Sequence, residues 1–308
     1  MNNSRHNKQL DCLGMGIVPL DFLVTIPKFP ERGGKVDATD LCIQGGGPIP
    51  NVMVGLSRLG FQTAVIVVVG DDMAGQISVE ELKRDGVSTD YVIRKKRRSA
   101  TAFGFVEENG GQRTIALHRK IGISPRDLDL PRYPIPRLIH LDGRDLDANM
   151  KLARWGRKHG AVISFDIGSV RDDVSPILPL IDHLAVADAF AFPYTGTQNI
   201  RKALQCLARI CPGTVVITQG TKGSAGFENG KFYRQKAYRV NAVDTTGAGD
   251  AFHVGYLCGL LAGEDIQQRL RLGSAVAALK CTKPGAREGM PTRRRLNRFL
   301  ESKAVTYA

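Results

Sequence analysis

The sequence predicts an α/β fold: a doubly wound, mainly parallel sheet with helices on both faces, plus a small β-sheet lid. Two observations carry this. Short β-branched apolar runs alternate with amphipathic helical stretches along most of the 308 residues, the pattern of strand–helix–strand crossovers. Two segments break the rhythm with extended or hairpin patterns, and such pieces cannot enter a parallel sheet as crossover units. They are expected to pair with each other as a separate sheet over the main one. The expected organisation is one domain over residues 1–308, with lid insertions at about 21–44 and 101–119.

The elements follow in order. The first strand reads from Leu13 to Val18, and extended pieces around Pro27, Pro30 and Gly33-Gly34 occupy Asp21 to Gln44. A helix over Asn51–Leu59 closes on Gly60 as its C′ residue. A strand at Thr63–Val69 and a helix at Ile77–Arg84, stopped before Gly86, come next. Thr101 to His118 alternates as a hairpin with its turn at Asn109-Gly110-Gly111. Strand Leu138–Leu141, helix Leu146–His159 with its stop at Gly160, and strand Ala161–Phe165 form the next unit. Helix Ile200–Ile210 ends before Pro212-Gly213 and leads to strand Thr214–Thr218. A second hairpin, Gly226–Arg234, turns at Glu228-Asn229-Gly230, and an apolar helix covers Ala251–Leu261.

Composition excludes several classes. At 43% hydrophobic and 24% charged the chain is an ordinary globular sequence, neither disordered nor collagen-like. It has no run of about 18 apolar residues to span a membrane. Its start, MNNSRHNKQLDCLG, has no signal-peptide core, so a cytoplasmic protein is expected. Six scattered cysteines, without a CxxC pair or histidine neighbours, argue against zinc and disulfides and for buried thiols in a reducing compartment. The formal charge of +13 draws on Arg94-Lys95-Lys96-Arg97-Arg98 and on Arg293-Arg294-Arg295 with Arg298. Neither run is interleaved with aromatics, so each reads as a solvated basic face and nucleic acid is not an expected partner.

The most informative stretch is Val243 to Phe252, VDTTGAGDAF. A polar, glycine-rich loop enters an apolar helix, and its small residues let the N–H groups of Gly247, Ala248 and Gly249 turn toward one point. That makes an anion site at a helix N-terminus. Asp250 in the first turn is an odd companion for an anion unless it handles a proton; there it could deprotonate a hydroxyl while the N–H groups hold a transferring phosphoryl. As an ordinary first-turn acid it would need no explanation, but Asp-Thr-Thr and three small residues before it would.

A second glycine cluster, Gly45-Gly46-Gly47-Pro48-Ile49-Pro50-Asn51, also enters a helix. Asn51 is either an amide for paired hydroxyls or a plain helix N-cap; the cluster alone does not choose. Thr218-Gln219-Gly220-Thr221-Lys222-Gly223 follows a strand but does not fit GxxxxGK[ST]. Gly14-Met15-Gly16 fails the dinucleotide fingerprint, with Pro19 at the third glycine, so a nicotinamide dehydrogenase is rejected.

With these motifs the chain resembles the ribokinase/PfkB sugar kinases. DTTGAGDAF matches that family's C-terminal signature, and the Gly45–Asn51 cluster looks like its N-terminal one. The likeness covers nearly the whole chain, including the tail GSAVAALKCTKPGAREGMP. It implies a ribokinase-like kinase using ATP and Mg2+, with Asp250 as base and Gly247, Ala248 and Gly249 as anion hole. Thr218, Gly220 and Gly223, with Ser274 near the adenine and Arg113 from the lid hairpin, would serve the nucleotide; Asp21, Gly46 and Asn51 would hold sugar hydroxyls. A K+-like cation is implied at the Asp244 carboxylate and the backbone oxygens of Thr246, Lys280, Lys283, Gly285 and Gly289. The sequence departs from the family at Ala191–Gly196, where the NxxE carboxylate is missing, leaving Mg2+ to ATP and water or to Asp166 through water.

The lid hairpin's Arg113-Thr114-Ile115 and the run Ile139 to Arg144 resemble the ketohexokinase branch, and the C-terminal third resembles bacterial sulfofructose kinases. The substrate would be a ketose or related sugar. Lys35 and Arg144 stand where they could clamp a distal anionic group by charge-assisted hydrogen bonds. The plainer reading makes Lys35 a solvated lid residue and Arg144 a partner of Asp142 or Asp145. His118 is a further candidate for this pocket. Lid edges and apolar faces suggest a homodimer through the lid. Two alternatives stay open: a kinase of the same fold for a nucleoside or vitamin-like alcohol, and a silent sugar-sensing nucleic-acid binder.

Overall fold

A computed structural model describes residues 9–108, 113–170 and 173–304. In chain order the strands and helices are β1 (Cys12–Met15), β2 (Leu20–Ile26), β3 (Asp40–Gly45), α1 (Pro48–Arg58), β4 (Thr63–Ile66), β5 (Val68–Gly70), α2 (Met73–Arg84) and β6 (Ile93–Lys95). The lid hairpin β7 (Thr101–Glu107) and β8 (Arg113–His118) follows, then β9 (Leu138–Leu141), α3 (Leu146–Lys158), β10 (Val162–Ile167), β11 (His183–Ala187), α4 (Asp188–Thr195) and α5 (Ile200–Ala208). The last third holds β12 (Thr214–Thr218), β13 (Ser224–Glu228), β14 (Lys231–Gln235), α6 (Ala248–Leu261), α7 (Ile266–Cys281) and α8 (Arg293–Ala304).

The main sheet runs β14-β13-β12-β11-β10-β9-β1-β4. Its strands from β4 to β12 are parallel, while the β13–β14 hairpin adds an antiparallel edge. Helices cover both faces, which is why strands such as β1 and β9 are buried at every residue. Alternation still sorts the side chains. Leu13, Ile139, Ile163 and Ile217 pack in the core with Leu152 of α3 and Leu204 of α5, whereas Cys12, Leu138, Val65 and Val216 face α1, α6 and α7. No helix among the described residues is long and apolar enough to cross a membrane.

The lid is a four-stranded sheet in the order β3-β2-β7-β8. The two rhythm-breaking insertions meet through the parallel pair β2–β7, with Asp21 opposite Ala102 and Leu23 opposite Gly104. The expected turn at Asn109-Gly110-Gly111 lies outside the described residues.

Several boundaries differ from the sequence reading. The Thr63–Val69 run is two strands: after Ile66 the chain leaves the main sheet, and Val68–Gly70 pairs with β6 instead. The first strand ends at Met15, short of Val18, as the backbone turns toward the lid. Strand β11 and helices α4, α7 and α8 have no counterpart in the sequence reading. In β11 the alanines blur the β-branched signal, and α7 is buried on so many sides that its polar/apolar period is faint. The basic runs are partly structural. Lys95 Nζ bonds Asp127 Oδ2 at 2.6 Å, and the Arg293 guanidinium donates to Leu59 O at 2.6 and 3.0 Å.

Candidate active site

The carboxyl ends of the parallel strands open into a cavity of about 670 Å3 roofed by the lid. The strand order reverses at β1, whose neighbours are β9 and β4, and ligands of open α/β sheets bind at such a switch point. Two loops cross there: Asp142 Oδ2 accepts from Ile17 N at 2.9 Å, and Asp142 Oδ1 accepts from Arg144 N at 3.0 Å. Burial pushes the Asp142 carboxyl up to about 7 despite these bonds.

Both glycine-rich motifs reach this cavity. Gly247 takes a left-handed conformation, φ 72°, as the N-cap of α6, so Gly247, Ala248, Gly249 and Asp250 line the wall together. Asn51 is the fourth residue of α1, not its N-cap; that place belongs to Gly47, so the N-cap reading is corrected. Asn51 Nδ2 donates to Asp250 Oδ2 at 2.7 Å, joining residues 199 apart in sequence. Asp21 lines the cavity from β2. Gly46 lies beneath it, and a Cβ there would strike the Asp21 carboxylate.

The remaining sequence candidates divide. Arg144 lines the cavity, and among the described residues no ion pair engages its side chain. Asp145 is taken by Arg119, so the reading of Arg144 as a partner of Asp142 or Asp145 holds only through its backbone N–H. Lys35 sits in the exposed loop between β2 and β3, and the cavity lining does not include it. His118 is also exposed: Ile115 and Leu117 of β8 face the cavity, and the period of two turns His118 away. Of the residues expected at the nucleotide, Thr218 lines the cavity, while Gly220, Gly223 and Ser274 do not. Gly223, φ +92°, serves the tight passage from β12 to β13 instead. The Arg113 side chain lies outside the described residues.

Around Asp244, its Oδ1 accepts from Thr246 N at 2.7 Å and its Oδ2 from Gly285 N at 2.8 Å. Burial works against the charged form, but these bonds and the Lys280 charge hold the Asp244 carboxyl below the usual range. Lys283 is exposed at the end of this stretch.

Sequence reasoning missed two groups. Arg287, buried, donates from Nε to Asn51 Oδ1 at 3.1 Å, from Nη1 to Glu81 Oε2 at 3.1 Å and from Nη2 to Gly46 O at 3.2 Å. The tail motif contained it, but nothing in the spacing connects it to a helix 236 residues away. The second group is His140, Asp166 and His253, from β9, β10 and α6, whose ligand atoms lie within 4.8 Å of one another. Asp166 Oδ1 is 3.1 Å from His253 Nε2. Burial alone would lower the His253 pKa, yet the Asp166 charge and hydrogen bond hold it above its ordinary value. Burial, then the neighbouring His253 charge, pushes His140 down to about 3. Asp166 thus gives Oδ1 to an imidazole, while the residue itself lines the cavity.

This geometry combines a glycine-rich helix start, a carboxylate in its first turn and a cavity of about 670 Å3. Comparison with known proteins agrees. The chain is 35% identical over 251 residues to an uncharacterised sugar kinase of Archaeoglobus fulgidus, covering 77% of this chain and 98% of that one. Its fold superposes on Arabidopsis thaliana ribokinase complexed with ribose and ATP, with a TM-score of 0.81 at 24% identity over 95% of this chain and 99% of that one. A candidate ribokinase II of E. coli in complex with ATP and Mg2+ gives 0.83 at 21% identity, again over 95% and 99%. The pattern described as pfkB family carbohydrate kinase matches residues 9–293, and the chain therefore belongs to that family of ATP-dependent sugar phosphotransferases.

Proposed function

We propose that the enzyme transfers the γ-phosphoryl of ATP to the primary hydroxyl of a ketose or related furanose, with Asp250 as the general base. One observation carries this reading: the Asn51–Asp250 hydrogen bond of 2.7 Å, which brings a hydroxyl-binding amide and a proton acceptor to one point beside the anion hole. Asp21 and Asn51 hold acceptor hydroxyls. Asp250 takes the proton of the hydroxyl that attacks, and the N–H groups of Gly247 and Gly249 stabilise the charge developing on the phosphoryl oxygens; the Ala248 N–H, expected to join them, is instead donated to Thr245 O at 3.1 Å. ATP supplies the phosphoryl group, and Mg2+ bound with it would neutralise its oxygens. Thr218 lines the cavity and would meet the nucleotide, and without an NxxE carboxylate Mg2+ would be held by phosphates and water. Closure of the lid excludes water, which would otherwise compete as acceptor.

Arg144 favours an acceptor with an anionic end, because it lines the cavity and no ion pair among the described residues engages its side chain. The clamp then rests on Arg144 without Lys35. A panel pairing neutral ketoses with sulfonated, phosphorylated and carboxylated counterparts tests this: preference for a neutral ketose reduces Arg144 to a structural residue. The free thiols at Cys12, Cys211 and Cys258, all buried, suit a reducing cytoplasmic setting.

The base assignment is tested by Asp250→Asn. The amide keeps shape and a hydrogen-bond partner for Asn51 but cannot take a proton, so kcat is expected to fall about 10²–10⁴-fold with ATP affinity retained. Near-normal turnover would remove Asp250 from that role.

A further inference from the structure

The family likeness implies a K+-like ion held by Asp244 and nearby backbone oxygens, and the residues present do not fit it. A lysine ammonium already occupies the Asp244 oxygens. Lys280 is fully buried, at 0% exposure. Its Nζ donates to Asp244 O at 2.7 Å and lies 3.5 Å from Asp244 Oδ2. The remaining Asp244 carboxylate bonds come from Thr246 N and Gly285 N, so its oxygens are satisfied by protein donors. Lys280 O, one of the oxygens expected to face the ion, accepts from Lys283 N at 3.1 Å.

The arrangement is built in. Gly289 packs against the lysine stem, where a Cβ would strike Lys280 O and crowd Cγ and Cε. The loop is tied to the end of α7 as well, with Val243 N donating to Cys281 O at 2.7 Å. A buried ammonium is costly unless paired and hydrogen-bonded, and Asp244 supplies both.

We propose that the Lys280 ammonium is a fixed internal monocation behind the anion-binding loop, taking the place of K+ and making this kinase independent of it. An ammonium matches K+ in charge and closely in size. Here it neutralises the carboxylate and caps the carbonyl at the start of the Asp244–Asp250 loop, whose far end, Gly247 to Asp250, lines the cavity. The functional consequence rests on the kinase reading above; the ion-binding consequence does not.

The experiment compares wild type with Lys280→Met, which keeps the stem and removes the charge, in KCl and in choline chloride at equal ionic strength. Thermal melting gives the ion readout without any sugar. Wild type is expected to melt at the same temperature in both salts, and Lys280→Met to be stabilised by KCl alone, because a ligand that binds the folded state raises its stability. In phosphotransfer, wild type is expected to be indifferent to K+, while Lys280→Met loses about 10²-fold, the scale of one lost anion-hole donor, and regains rate with K+ or NH4+. Specific stabilisation or activation of wild type by K+ overturns the proposal, as does full activity of Lys280→Met in choline. If the variant does not fold, the wild-type comparison still decides. If no sugar is phosphorylated in either salt, the kinase reading fails while the melting data still judge the lysine.

Discussion

A primary amide can turn either its oxygen or its NH2 toward a ligand, and at Asn51 the choice is made by Arg287. Its Nε–H claims Oδ1 at 3.1 Å, which leaves Nδ2 to face Asp250. The same guanidinium is anchored by Glu81, whose Oε2 also accepts from Gly45 N at 2.6 Å, and by the carbonyl of Gly46. Under the proposed function Arg287 would therefore position Asn51 for the acceptor sugar. Arg287→Met alone would leave Glu81 without its buried counter-charge, so the informative variant is Arg287→Met with Glu81→Gln. Sugar KM is expected to rise about tenfold to a hundredfold, the worth of a charge-assisted hydrogen bond, with ATP KM unchanged. Equal losses for both substrates would show a general loss of structure instead.

Among the elements, α6 carries the site and pays for its placement in packing. It is buried nearly all round, and at Gly255 the backbone of α7 comes so close that a Cβ would strike Leu272 O. This contact sets the distance between the helix that presents Asp250 and the helix that presents Lys280. Gly255→Ala gains helix propensity of roughly 1 kcal/mol but must push a backbone carbonyl away, and overpacking of this kind costs about 1–3 kcal/mol. Net destabilisation is expected, read as a lower urea midpoint at an unchanged slope. A variant as stable as wild type would show that the two helices separate freely.

For the whole molecule the open question is what covers the lid's outer face. Phe22 stacks on Phe103 at 5.3 Å, Val24 lies opposite Leu41 and Phe105, and Phe29 meets Phe105 edge-on. Leu41, Ile43 and Phe103 are 57%, 46% and 50% exposed, a contiguous apolar surface of the sort that marks an interface. We propose that a second copy of the chain packs lid to lid and buries it, the homodimer expected from the lid's edges and apolar faces. Phe103→Glu is expected to convert the dimer to monomer in sedimentation velocity. A wild type that sediments as monomer at micromolar concentration would dismiss the dimer.

The alternation of apolar runs and the two glycine-rich loops already specify a doubly wound sheet, a lid and a glycine-rich start to α6, because period, turn chemistry and helix starts are local properties of neighbouring residues. The positions of Gly247–Asp250, and the separation of the lid insertions from the main sheet, were legible for that reason. Contacts between distant segments were not. Nothing near Asn51 in sequence points to Arg287, nothing near Lys280 shows that its ammonium rather than its carbonyl would face Asp244, and Asp166 reads as a free carboxylate until His253 is beside it. Lys35 and His118 illustrate the converse: their charge and type suit a substrate clamp, but loop course and strand parity point them elsewhere. Side-chain direction and long-range pairing depend on how layers pack, and packing is a property of the folded chain alone.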